Sequence, residues 1–255
     1  MTLKLNIQQP LAHFDLDINV ELNADGIIGL FGQSGSGKTN LLRAIAGLNE
    51  SSRGNIVFNS HHWALSSEHA CRVGMVFQDS RLFNHLTVAQ NIEIVNQLDL
   101  AALESLISDF GVAPLLDKRC NLLSAGQQQR VAIVRSLAAK PDLLLLDEPL
   151  SALDDTAKQQ LMLALKNYSQ QQQLVMIYVS HHIDEIHFLC DELMLIEQGN
   201  ITDSGDCQQL LKRHQLLPHT SQVLDIDESS KQITLQLTDE AFAQLASQSA
   251  IKLSK

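Results

Sequence analysis

Eight consecutive residues, Gly32-Gln33-Ser34-Gly35-Ser36-Gly37-Lys38-Thr39, have the composition and spacing of a loop that wraps phosphate. Glycines let the backbone curl until its N–H groups point inward at anionic oxygens. Lys38 offers a point charge to β- and γ-phosphates, and the Thr39 hydroxyl suits Mg²⁺. Far downstream, the apolar run Leu143-Leu144-Leu145-Leu146 ends in Asp147-Glu148-Pro149. Asp147 has the chemistry to hold Mg²⁺, directly or through water. Glu148, one residue on, can polarise an attacking water as a general base. Together these residues imply a site for a nucleoside triphosphate and Mg²⁺.

Such residues need rigid supports. Gly26-Ile27-Ile28-Gly29-Leu30-Phe31 reads as a buried strand entering the loop, and Leu41–Ala46 as a helix leaving it, with Gly47 placed to end it. That helix presents its positive N-terminal end to the same anion. Leu3, Leu5 and Ile7 alternate, as do Phe14, Leu16, Ile18 and Val20, so residues 1–31 read as antiparallel and core strands with Phe14 on the buried face. Ser51–Asn55 reads as a turn before a short strand Ile56–Phe58, Arg72–Phe77 as another strand, and His61-His62 as part of a loop. Adjacent His side chains diverge, which argues against a metal site there.

From about 80 to 137 the spacing turns helical, over Val88–Leu98, Leu100–Phe110 and Ala125–Ala138. This block interrupts a strand–helix alternation that resumes with the buried strand Leu143–Leu146. It continues through a helix Asp155–Tyr168, a strand Leu174–Val179, a helix Ile183–Leu189 and a strand Glu192–Ile196. Gln170–Gln173 reads as a solvated loop, Gln198–Asn200 as a turn into Ile201, and Asp206–Arg213 as a last short helix. The expected fold is α/β: a mixed sheet with flanking helices, an antiparallel N-terminal β subdomain and an inserted helical subdomain, all within 1–215. Beyond Pro218, strands Gln222–Ile226 and Gln232–Leu237 suggest a hairpin followed by a helix from Thr238. Residues 219–255 are too few to form a stable domain unaided.

The chain has 255 residues, 45% of them hydrophobic and 18% charged, which is ordinary for a globular protein. Its formal net charge of −11 argues against a nucleic-acid partner, which would demand Lys and Arg against phosphates. Cys71, Cys120, Cys190 and Cys207 are scattered without a C-x-x-C pair, as expected of reduced thiols. No run approaches the roughly eighteen apolar residues that span a bilayer, and Met-Thr-Leu-Lys-Leu-Asn does not read as a secretory signal. Any membrane role would therefore be that of a peripheral subunit.

Leu123-Ser124-Ala125-Gly126-Gln127-Gln128-Gln129-Arg130 opens a helix with a Ser cap and a glycine for close approach. Placed between the phosphate loop and Asp147-Glu148, it resembles the signature of the ATP-binding-cassette (ABC) ATPases, with Ala125 where that signature has its first glycine. The fold this implies is the phosphate-loop NTPase core of that family. The resemblance implies that Gln78 touches Mg²⁺ and the attacking water, that Ser151–Asp154 crosses a dimer interface, and that His181 contacts the γ-phosphate. It further implies a head-to-tail homodimer in which Ser124, Gly126 and Gln127 of one chain face the ATP held by Gly32–Thr39 of the other. Many relatives stack adenine on an aromatic upstream of the loop; here the ring residues nearby are His13 and Phe14.

A single cassette looks like a bacterial importer subunit. The stretches Gly26–Gly37, Arg72–His85 and Tyr178–Ile186 are similar to the molybdate importer ATPases. That likeness implies a peripheral position on the cytoplasmic face of the inner membrane. It also implies an integral membrane permease received along residues 79–90 (Arg81, Phe83 and Leu86), and, indirectly, a periplasmic substrate-binding protein. Relatives of that kind carry a C-terminal anion-binding regulatory domain, of which 219–255 would be only an opening hairpin or remnant. An importer ATPase for sulfate, tungstate or iron, a soluble cassette without a permease and a phosphate-loop kinase are the other readings. Glu148 and Leu123–Gln127 argue against the kinase.

Overall fold

Side chains two apart share one face of extended backbone, and the N-terminal residues obey that rule strictly. In β1 (Thr2–Pro10) and β2 (Asp15–Asn23) every second residue is buried, and the strands pair antiparallel with Leu3 opposite Leu22, Leu5 opposite Val20 and Ile7 opposite Ile18. The computed structural model describes residues 1–59, 61–64, 72–216, 222–227 and 232–236. β3 (Ile27–Phe31) is buried on both faces and leads into the phosphate loop and α1 (Lys38–Ile45).

β4 (Arg53–Phe58) pairs antiparallel with β1, and β5 (His61–Ala64) pairs antiparallel with β4 at the edge of the sheet. Two expectations are corrected here. Ser51–Asn55 is not wholly a turn, because Gly54, at φ +118°, lies so close to the Asn6 carbonyl that a Cβ would collide with it, and the strand therefore starts early. His61 and His62 lie in β5 rather than a loop, opposite Phe58 and Val57.

β6 (Val73–Val76) is followed by the helical block: α2 (Val88–Glu93), α3 (Leu100–Asp109) and α4 (Ala125–Ala138). α2 stops short of the expected Leu98 because the Asn96 side chain bonds both the N–H and the carbonyl of Leu98, a local turn that competes with the helix. Next come β7 (Leu143–Asp147), α5 (Asp155–Gln172), β8 (Val175–Val179), α6 (Ile183–Leu189), β9 (Glu192–Glu197), β10 (Asn200–Asp206) and α7 (Cys207–Arg213). α5 runs through Gln170–Gln172, expected as loop, and ends where Gln173 turns left-handed. Glutamine is a good helix former, so the polarity of that run dictates exposure and not conformation.

Ten strands form one mixed sheet in the order β5-β4-β1-β2-β10-β9-β3-β8-β7-β6. β9, β3, β8, β7 and β6 are mutually parallel. β10, unanticipated as a strand, is antiparallel to β9 and meets β2 at Asn200–Asp17, which makes the antiparallel strands continuous with the core. Its register shifts between Ile201 and Asp203, which breaks the period-two signal. Apolar residues from β1, β2, β3, β7, β8 and α1 share one core. Among the described residues, no helix is long and apolar enough to cross a membrane.

The chain divides into two compact units, residues 1–210 and 211–255. In the second, β11 (Gln222–Asp227) and β12 (Gln232–Gln236) form the expected antiparallel hairpin. The helix expected from Thr238 lies outside the described residues.

The parallel register decides where chemistry happens. Leu30 lies opposite Val179, Val179 opposite Asp147, and Leu146 opposite Val76. The loops leaving β3, β8, β7 and β6 therefore emerge side by side at the carboxyl edge, where open α/β sheets bind ligands. Leu145 is fully buried in β7, between β6 and β8. Leu145→Ala is expected to lower the unfolding free energy in urea by about 2–5 kcal/mol. A loss under about 1 kcal/mol would show that β7 is not the central strut it is taken for.

Candidate functional site at the carboxyl edge of the sheet

The phosphate loop is shaped by glycines held in left-handed backbone, Gly35 at φ +81° and Gly37 at +106°, the latter at the N-cap of α1. Lys38 is buried, and its ammonium donates to the carbonyls of Gly32 at 2.7 Å and Gln33 at 2.8 Å. Burial pulls the Lys38 pKa below the ordinary lysine value, while the charges of Glu148 and Asp147 act against that shift. The Ser36 hydroxyl is buried with no hydrogen-bond partner among the described residues. An orphan hydroxyl in a ring of glycine amides is what an anion-binding loop leaves for its ligand. Gln33 and Ser34 are exposed at its rim.

Across the sheet, the Thr39 hydroxyl donates to Asp147 Oδ1 at 3.2 Å. Asp147 is only 5% exposed, and burial raises its pKa above the usual carboxylate range despite the Thr39 hydrogen bond. A hydroxyl and a carboxylate oxygen side by side are hard donors of the kind Mg²⁺ accepts. That ion uses one or two carboxylates, keeps its waters and takes the rest from substrate phosphates. No cluster of three or more His, Cys, Asp or Glu able to hold a metal exists among the described residues, so an all-protein cage is not on offer.

Glu148 turns the chain off β7 in left-handed backbone, φ +46°, with its N–H bonded to the Val179 carbonyl and its carbonyl accepting from the Ser151 hydroxyl. Non-glycine residues there cost on the order of 1–3 kcal/mol, a strain that surrounding structure must offset. The turn aims the carboxylate between two neighbours. Oε2 accepts from Gln78 Nε2 at 3.4 Å, and Oε1 lies 3.3 Å from His181 Nδ1. His181, not its neighbour His182, faces Glu148; the two rings pack 4.0 Å apart.

Helix α4 grips the segment bearing Gln78 from both sides. Buried Gln129 donates to the Phe77 carbonyl at 3.0 Å, and Gln128 accepts from the Ser80 hydroxyl at 3.4 Å. Polar residues one turn into a helix read as solvent-facing, so pattern alone did not single them out. At the start of α4, Ser124 and Gln127 form a reciprocal cap: Ser124 Oγ accepts the Gln127 N–H, and Gln127 Oε1 accepts the Ser124 N–H. Gly126 is buried where a Cβ would press on Leu153 and the Ala152 carbonyl, and Asp154 caps α5. No hydrogen bond among the described residues links Ser124, Gly126 or Gln127 with Gly32–Thr39.

Phe14 departs from expectation. It precedes β2 and is half-buried, with its ring against Gly37 and Gly199. The alternation that put it in the core simply overruns the strand by one residue. A separate cavity of about 380 Å³, lined by Arg130, Gln160 and Tyr168 among others, includes none of these residues.

The profile of the ABC transporter family matches residues 16–151, more than half of the chain. The chain belongs to the ABC transporter family. Two relatives, both called molybdenum import ATP-binding protein ModC, are 41% identical (Escherichia coli O6:K15:H31) and 40% identical (Escherichia coli K12). Each likeness runs over 220 residues, 82% of this chain and 61% of the relative, so the cassette spans less than two thirds of their length.

Among solved structures, a dimeric ATP-binding cassette bound to ADP and Pi is similar at TM-score 0.68 and 22% identity, covering 81% of this chain and 99% of that one. A cassette from Clostridium perfringens, part of an ABC transporter complex, gives 0.71 and 24%, covering 84% and 92%. These likenesses carry the fold: a phosphate-loop NTPase core with flanking helices.

The raised Asp147 has a consequence for stability. An acid that holds its proton more tightly when folded favours folding below its unfolded value, and that contribution is lost as pH rises through the folded value. In the cassette free of nucleotide and kept in EDTA, Asp147→Asn is expected to raise the denaturation midpoint at neutral pH. The gain should shrink as pH falls towards the ordinary carboxylate value of about 3.9. A midpoint that drops at neutral pH would show that the carboxylate is stabilising instead.

Proposed function

We propose that this cassette is the ATP-hydrolysing subunit of a bacterial ABC importer, coupling ATP binding and hydrolysis to uptake of an oxyanion, molybdate. One observation carries the reading: the Glu148 carboxylate is held between Gln78 and His181, beside the Thr39–Asp147 pair and the phosphate loop. In this reading Gly32–Thr39 bind the triphosphate, with Lys38 leaving the Gly32 and Gln33 carbonyls for the β- and γ-oxygens. Thr39, Asp147 and Gln78 would hold Mg²⁺, which would supply neutralisation of phosphate charge. Glu148 takes a proton from the attacking water, Gln78 orients that water, and His181 steadies the γ-phosphate. Phe14, packed on Gly37, is the aromatic available to adenine.

Ser124, Gly126 and Gln127 act on the nucleotide of a second copy, in a head-to-tail homodimer. The permease meets residues 79–90, where Phe83 is 46% exposed and its backbone is held on both sides by the buried Asn91 side chain. The cassette then lies at the cytoplasmic face of the inner membrane, with a periplasmic binding protein as an indirect partner. Molybdate is favoured because relatives at 41% identity are named for molybdenum import.

Glu148→Gln is expected to bind ATP with near-unchanged affinity, to lose about two to four orders of magnitude in kcat and to accumulate as a dimer on a sizing column. Wild-type-like turnover would sink the role given to Glu148. Ser124→Arg should abolish turnover while nucleotide binding to the monomer survives. For the cargo, the cassette expressed with its permease and binding protein should co-purify with them and drive molybdate uptake. Competition by sulfate rather than tungstate would reassign the oxyanion.

A further inference from the structure

Helix α6 carries a buried acid that none of these roles uses. Glu185 is 5% exposed, and its Oε2 accepts from the Tyr178 hydroxyl and the Ser180 hydroxyl, each at 2.7 Å. The Ser180 oxygen in turn accepts the His182 N–H at 3.0 Å. The other carboxylate oxygen accepts no hydrogen bond and lies 3.5 Å from the Lys158 ammonium. A carboxylate removed from water is expensive, and stability alone would be served at least as well if Glu185 and its polar partners were all replaced by packed apolar side chains.

The partners indicate a different purpose. Tyr178 and Ser180 lead up to His181, and Ser180 closes the turn that contains it. Lys158 sits in the first turn of α5, with its N–H bonded to the Asp154 carbonyl, at the end of the Ser151–Asp154 loop. One side chain therefore joins the His181 turn to the start of α5.

We infer that Glu185 is a positioning residue: it fixes the Ser180–His182 turn so that His181 stays against Glu148, and through Lys158 it sets that turn relative to the helix that follows the Ser151–Asp154 loop. The inference rests on the ATP-hydrolysis reading of the site. ATP turnover, nucleotide affinity and melting temperature of the full chain test it, together with the His181 ring resonance in the nucleotide-free protein.

Glu185→Ala is expected to lower kcat by about tenfold to a hundredfold, the scale of a small misplacement of a reacting group, with KM for ATP within about threefold. Glu185→Gln keeps an oxygen for the two hydroxyls and should recover most of that loss, and Lys158→Met should fall between them. Ser180→Ala, a smaller excision, should reproduce the kcat loss even if Glu185→Ala fails to fold. Full turnover in a folded Glu185→Ala or Ser180→Ala protein, or no rescue by Gln, overturns the inference. If the wild-type chain does not hydrolyse ATP, the functional reading fails, and the His181 resonance decides the positioning role by itself. It should shift in Ser180→Ala, and more in Glu185→Ala than in Glu185→Gln, and an unchanged resonance in both Ser180→Ala and Glu185→Ala rejects the role.

Discussion

The working edge depends on one register: Leu30 beside Val179, and Val179 beside Asp147. Parallel strands buried on both faces have little freedom to slip, because a shift of one residue exchanges the sides on which every apolar residue packs. That register puts Asp147 within hydrogen-bond reach of Thr39, although the two are far apart in sequence. It also sends the turn at Glu148 and the turn at His181 out from adjacent strands. The apolar mass of β7 and β8 is the frame for a few polar atoms at its end.

Those atoms are held at a cost in stability. Lys38 and Asp147 are both buried, each shifted by desolvation towards its neutral form and each partly restored by the other's charge. Glu148 adds a left-handed backbone. Three adjoining features that would each weaken an ordinary core lie together at one edge, supported by strands with almost no exposed surface. Such concentration marks a surface arranged for binding and chemistry more than for rigidity.

Much of this was legible in the sequence because the informative residues are contiguous. Gly32–Thr39, Asp147-Glu148 and Ser124–Gln127 carry their spacing on their face, and the four leucines of β7 announce a strand buried on both sides. What was not legible depends on where elements stop or on what a polar side chain meets. Phe14 keeps the alternation of β2 but lies outside it. Gln170–Gln172 are helical because a polar run is free to extend a helix into solvent. β10 hid behind a register shift. Gln129 looks like any surface glutamine until the Phe77 carbonyl is found above it.

That last contact has a mechanical corollary. Gln128 and Gln129 clamp Phe77 and Ser80 to the first turns of α4, whose opening residue is capped by Ser124. Over its 14 residues α4 is a rod of about 21 Å. Those two hydrogen bonds tie the segment holding Gln78 to the rod whose tip is Ser124. Two motifs that lie well apart in the sequence thus share one mechanical support, the first turns of α4.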